Sequence, residues 1–185
     1  MTQSTMSDFA VSQIFAGVAF VAGFASVQFK SRRAILLALI VSTAFNGIHF
    51  LFLDRPGPGA LMFLTGTRYI AAIVTTDSRA RLFFLAVTAT AFAYSFESWM
   101  STVALCGTLV GTYGSFEPTD RRVRLFFMAG NICWLIHNSL VWTPVGIIME
   151  ITFLISSIIG YWRHYGSPFD YSSMDGLSTG GEQLD

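Results

Sequence analysis

Apolar stretches of about 15 to 21 residues, separated by short blocks of charge, recur along the whole chain. A soluble domain of 185 residues does not need this arrangement, whereas a bundle of membrane-crossing helices does. Read between the charge blocks, the spans are Phe9–Phe29, Ala34–Leu53, Gly59–Thr76, Leu82–Phe96, Trp99–Tyr113, Val123–Trp142 and Thr143–Tyr161. The last boundary, Trp142-Thr143-Pro144, carries no charge, so six spans with one re-entrant element is the rival count. Pro144 suits an early helical position, where its missing N–H costs nothing. Leu82–Phe96 is short and must borrow flanking residues or cross where the bilayer thins. The polar opening, with Asp8, is unlike a signal peptide.

The basic residues fix an orientation. Lys30, Arg32, Arg33, Arg79, Arg81, Arg121, Arg122, Arg124 and Arg163 all fall on one side, and only Arg55 falls on the other. The positive-inside rule then places the N-terminus outside and the C-terminus in the cytoplasm, as an odd number of spans requires. Trp99 and Trp142 sit at the outer boundary and Trp162 at the inner one. A formal net charge of zero, with basic residues in short clusters, excludes a nucleic-acid partner. Cys106 and Cys133 lie inside apolar runs, which argues against a disulfide framework and for small core side chains.

Two charges interrupt the spans. Arg68 lies near the middle of the third, and Glu150 lies about two turns into the seventh. A charge at membrane depth costs several kcal/mol, so it usually faces protein or water and finds a partner. Measured from Gly59 and Thr143, the two stand at about 13 and 10 Å along helices that enter from the same side. They are expected to pair or to face one polar cavity.

The second polar set is Thr43, Asn46 and His49 on one face of span two, with Asn131, Trp134, His137 and Asn138 in span six. Amides orient a polar solute by hydrogen bonds, and Trp134 offers a stacking surface. The expected solute-binding residues are therefore Asn46, Arg68, Asn131, Trp134, Asn138 and Glu150. His49 and His137, nearer the outer ends, are gating candidates. The same groups also serve as interhelical hydrogen bonds worth about 1 kcal/mol each. His49, His137 and Glu150 make no tight ligand motif, so neither metal nor cofactor is expected. Ala16, Ala19, Gly23 and Ser26 on span one, and Gly107-x-x-x-Gly111 on span five, read as close-packing stripes.

An internal repeat underlies the layout. The stretch from Arg32 and the stretch from Arg121 both begin with paired arginines and run to Ile-His, at Ile48-His49 and Ile136-His137. Each turns through proline and restarts as Gly-x-x-Met, at Gly59 to Met62 and Gly146 to Met149, with spacing that differs by one or two residues. The fold class expected is an all-α polytopic membrane protein of seven helices. Two parallel triple-helix units, 9–76 and 99–161, are joined by a linker helix, 82–96. Residues 166–185 are polar, Gly/Ser-rich and acidic, and read as a flexible cytoplasmic tail.

Phe45-Asn-Gly-Ile-His-Phe50, Gly130-Asn-Ile-Cys-Trp-Leu-Ile-His-Asn138 and Gly146-Ile-Ile-Met-Glu150 resemble the bacterial inner-membrane YgjV family, over roughly Val11 to Tyr165. That resemblance implies a location in the inner membrane and no established activity. The 3+1+3 layout also resembles the SWEET and PnuC transporters, which pair two triple-helix units around a path for a small polar solute. The proline-glutamine pair of the SWEET and PQ-loop type is missing here, so this second likeness is architectural. The function expected is transport of a small polar solute by alternating access. The alternative is a non-transporting scaffold or partner subunit with a locked interior. Short loops leave no room for a soluble catalytic domain, and an enzyme is not expected. The partners expected are the lipid bilayer and a small polar solute, and a bundle this slim admits a homodimer.

Overall fold

The computed structural model describes residues 6–54, 56–94, 96, 98–142 and 144–166. Arg55, the lone basic residue of the opposite side, and nearly all of the 166–185 tail lie outside the described residues. The helices are α1 (Met6–Ser26), α2 (Arg32–Phe52), α3 (Pro56–Val74), α4 (Ser78–Tyr94), α5 (Trp99–Ser115), α6 (Asp120–Leu140) and α7 (Pro144–Tyr165), and no strand occurs among the described residues.

Local chemistry sets several helix ends. The Ser31 hydroxyl accepts from the Ala34 N–H at 3.3 Å and caps α2. Asp120 opens α6, where a carboxylate suits the positive end of the helix dipole. Pro56 and Pro144 open α3 and α7 at the position proline tolerates best. α3 therefore starts three residues before the expected Gly59, and α6 starts three before the expected Val123, taking Arg121 and Arg122 into its first turn. α4 is displaced from the expected 82–96: it borrows Ser78 to Arg81 and stops at Tyr94.

The burial pattern is that of a protein in lipid. Ser12, Ser26, Thr43, Thr112, Ser115, Ser156 and Ser157 are buried, while Ile14, Val21, Leu82, Phe83, Ile148 and Ile159 are each more than half exposed. Water would reverse that distribution. Three helical segments, Ser7–Ser26, Arg32–Phe52 and Gly146–Tyr165, are long and apolar enough to cross a membrane. Gly59–Val74 is apolar but shorter. α4 and α5 have 17 residues each, and the charged first turns of α6 lower its hydropathy.

Sequential helices pack on one another, α1 on α2 on α3 and α5 on α6 on α7, with α4 against α5. Small residues permit the approach. Ser42 donates to the Ala19 carbonyl at 2.8 Å. A Cβ on Gly107 would stand 3.1 Å from the Gly130 carbonyl oxygen and 2.9 Å from Trp134. Ala19 and Gly107 thus pack within their own sets of three helices, whereas a Cβ on Gly23 would also stand 3.6 Å from Phe153 of α7 and one on Gly111 would meet nothing within 4 Å. Both cysteines are free, and Cys106 is exposed instead of lying in the core.

One interval recurs. Arg32 and Asp120, the first residues of α2 and α6, are 88 residues apart. The same interval separates Phe52 from Leu140 and Pro56 from Pro144. It also separates the two non-glycine residues held at positive φ, Asp54 (φ 56°) and Trp142 (φ 54°). Helix starts and turns thus recur at 88 residues, whereas Arg32 and Arg121 are 89 apart and Gly59 and Gly146 are 87 apart.

The ends of α1, α3, α5 and α7 meet the beginnings of α2, α4 and α6 at one face, which carries the arginine blocks and is termed the basic face below. Just inside it, Leu36, Tyr69, Ala72 and Phe116 form the buried apolar cluster, flanked by Phe84 and Phe127.

Candidate functional site

The helix ends at the basic face leave backbone carbonyls with no partner of their own. Two arginines fill that need. Arg32, on α2, donates through Nε to the Glu117 carbonyl at 2.7 Å and through Nη2 to the Ser115 carbonyl at 2.9 Å, and Nη2 also reaches the Ala72 carbonyl. One guanidinium thereby caps the ends of α3 and α5. Its backbone N–H donates to Asp120 Oδ1 at 2.5 Å. Arg124, on α6, donates through Nη1 to the Val27 carbonyl just past the end of α1, at 2.8 Å. Val27 and Ser115 stand at the same 88-residue interval, so each triplet sends an arginine onto the terminal carbonyls of the other. A cation is favourable at the negative end of a helix dipole, which adds to the hydrogen bonds.

Further bonds close the same face. Glu117, 3% exposed, receives Arg81 Nη1 at 3.2 Å on one oxygen and Arg122 Nη1 at 3.1 Å on the other. Gln28 Nε2 donates to Ser156 Oγ at 2.5 Å, and His164 Nε2 donates to the Gln28 carbonyl at 3.2 Å. All of these ties lie in the half of the bundle nearest the arginine blocks.

The sequence-derived site residues are spread over α2, α3, α6 and α7. Arg68 is buried at 6% exposure. It donates through Nη1 to Thr112 Oγ1 at 2.6 Å, and its guanidinium lies 4.8 Å from the Tyr69 ring centroid. Its neighbour is therefore Thr112 of α5, and the expected pairing with Glu150 does not form. The reason is depth. Counted from the helix starts, Arg68 is about 18 Å along α3, whereas Glu150 is about 9 Å along α7. Glu150 is half-buried and has no hydrogen-bond or ion-pair partner among the described residues. Asn46 Nδ2 approaches Met62 Sδ at 3.8 Å, between α2 and α3. Asn131, Trp134 and Asn138 are all half-buried on α6, and Trp134 meets His137 edge-on at 5.6 Å. Among the described residues no cluster of His, Cys, Asp and Glu could hold a metal ion.

The two histidines act alike. His49 Nδ1 stands 2.9 Å from the Ser12 carbonyl, and His137 Nδ1 stands 2.9 Å from the Met100 carbonyl, each reaching back 37 residues. A carbonyl only accepts, so each Nδ1 carries the proton. The pair staples α1 to α2 and α5 to α6 and takes no part in the ties at the basic face. His49→Ala and His137→Ala are each expected to lower stability by about 1 kcal/mol, to a similar extent. Thermal unfolding of the purified variants checks this, and a loss confined to one of them would break the equivalence.

Sequence reasoning missed Thr112, Glu117 and the inward roles of Arg32 and Arg124. Thr112 carries no signal in the sequence. Glu117 does carry one, as an acidic residue next to the arginine block at 121–124.

The chain matches the bacterial inner membrane protein family Imp-YgjV over residues 10–167. It is 26% identical over 149 residues to inner membrane protein YgjV of Escherichia coli strain K12, covering 79% of this chain and 81% of that one. No solved structure matches it. A helical bundle with large apolar side chains outside and hydroxyls and guanidinium groups inside thus agrees with a match over most of its length: the chain belongs to the Imp-YgjV family of bacterial inner membrane proteins.

Proposed function

We propose that this protein is a small transporter for a polar solute, working by alternating access between two parallel triple-helix units, α1–α3 and α5–α7, joined by α4. All seven helices cross the membrane, and the basic face is cytoplasmic by the positive-inside rule. The recurring interval in helix ends, turns, prolines and histidine staples supports the two units. The observation that carries the transport reading is the one-sided closure. Arg32 and Arg124 tie each unit to the other at the basic face, above the apolar cluster of Leu36, Tyr69, Ala72 and Phe116. Farther from that face the half-buried Asn131, Trp134 and Glu150 stand on the second unit, and Asn46 stands on the first. A bundle sealed at one end and polar beyond the seal corresponds to one of the two states that alternating access needs. Transport of this kind requires no catalytic residue.

Single cysteines at Asn46, Asn131 and Glu150, in a background without Cys106 and Cys133, test the reading with a membrane-impermeant thiol reagent in oriented vesicles. Labelling is expected from the outer side. Replacing both Arg32 and Arg124 by Gln is expected to admit reagent from the cytoplasmic side as well. Protection from both sides in every variant would mean a dry, locked interior and would favour the scaffold alternative.

A further inference from the structure

Three buried side-chain nitrogens among the described residues have no hydrogen-bond partner, and all three belong to guanidinium groups: Arg68 Nε, Arg124 Nε and Arg124 Nη2. Arg124 belongs to the ties of the basic face. Arg68 does not. It lies deeper, where α3 of one unit meets α5 of the other. We propose that Arg68 is the anchor for an acidic group, a carboxylate or phosphate, on the solute, which makes that solute an anion. This rests on the transport reading above and names the class of what is carried.

The argument is one of charge and of hydrogen bonds. An arginine stays protonated in protein, and a buried cation needs a counter-charge or a full set of acceptors. Among the described residues no carboxylate forms an ion pair with Arg68. Both oxygens of Glu117 hold other arginines, Asp120 accepts from the Arg32 backbone, and Glu150 lies at another depth. α5, the helix facing Arg68, contains no charged residue. Among the described residues, Arg68 meets one hydroxyl and one ring face. Thr112 uses its own proton on the Thr108 carbonyl at 2.7 Å, so its oxygen is held as an acceptor for Nη1 while Nε is left over. A planar guanidinium with a free Nε–H matches the forked geometry of a carboxylate or phosphate. Parting α3 from α5 to admit a solute uncovers this group, so binding of the anion is tied to the movement of the units.

The test titrates purified protein in phosphatidylcholine nanodiscs with sodium phosphate and with sodium succinate, with ionic strength held by sodium chloride. The unfolding temperature is followed for wild type, Arg68→Lys, Arg68→Gln and the exposed control Arg33→Gln. A saturable rise with at least one of the two anions is expected in wild type and in Arg33→Gln. Its midpoint should shift roughly tenfold or more in Arg68→Lys, which keeps the charge and loses the fork, and the rise should vanish in Arg68→Gln. No rise in wild type, or one unchanged in Arg68→Lys, overturns the inference, and Arg68→Lys decides alone if Arg68→Gln does not fold. A rise on exchanging phosphatidylcholine for phosphatidylglycerol, with none from the soluble anions, identifies a lipid phosphate and overturns an anionic solute. Uptake into proteoliposomes separates the two readings. Binding of the anion without uptake leaves the anion site standing and removes alternating access. Uptake of neutral or cationic solutes that ignores Arg68→Lys removes the anion and keeps transport.

Discussion

Arg32→Gln is expected to destabilise the protein by about 2–4 kcal/mol, because it leaves several buried helix-terminal carbonyls short of a donor at once. The carbonyls of Ala72, Ser115 and Glu117 converge on a single guanidinium, and the ends of α3 and α5 are held together through it. A glutamine amide is too short and has too few donors to span the three. Arg32→Lys keeps the positive charge against the helix dipoles and is expected to recover only part of the loss, since an ammonium lacks the planar fork. Reversible unfolding in detergent, followed by tryptophan fluorescence, reads the difference. A change below about 0.5 kcal/mol in Arg32→Gln, the size usual for a surface substitution, would show that these bonds hold nothing together.

Gly160→Ala is the second large effect, about 1–3 kcal/mol of overpacking. A Cβ there would stand 2.7 Å from the Val27 carbonyl oxygen and 3.2 Å from Arg124 Nη1. The nearest obstacle is backbone, which does not swing aside as a long side chain does. The added methyl must push α7 from the end of α1 and displace the carbonyl that Arg124 holds. The two substitutions are therefore coupled, and Gly160→Ala should cost less in an Arg124→Gln background than in wild type. Gly111→Ala serves as a control, because its Cβ would meet nothing within 4 Å. Equal costs in both backgrounds would mean that Gly160 and Arg124 act separately.

The class of the protein is legible in its spacing of charge and apolar runs, because lipid allows backbone polar groups only a few solutions. Seven helices follow from that, and the prolines and Ile-His pairs mark where the hairpins turn. Contacts of long polar side chains are less legible. Arg68 was expected to seek Glu150 because they are the two charges deepest in the spans, yet a helix start three residues earlier changes its depth and places it beside Thr112. Arg32 and Arg124 sit in blocks that positive-inside counting treats alike, but the fold turns both inward while Arg33 and Arg122 stay exposed. Which carbonyl an arginine reaches depends on how helices from distant parts of the chain meet, and spacing along the sequence does not contain that. Of the polar faces on α2 and α6, the two histidines make the same kind of bond, each to a carbonyl 37 residues back.

The turns of three residues between α2 and α3 and between α6 and α7 bear on how the chain enters the bilayer during synthesis. In each hairpin one helix is apolar and long enough to be retained unaided, α2 in the first and α7 in the second. Its mate is weaker, α3 with Arg68 in its course and α6 with Asp120 and three arginines at its start. Asp54 and Trp142, held in the left-handed region, fold the strong helix back on the weak one within a few residues. If each pair inserts as a single hairpin, as the proposed seven-span layout requires, the apolar helix is expected to carry its charged neighbour into lipid, where that neighbour alone would be slow to stay. The bends that shape the finished bundle are thus expected to set an order of assembly as well, with α2 retained as soon as it is made and α6 retained only once α7 has followed.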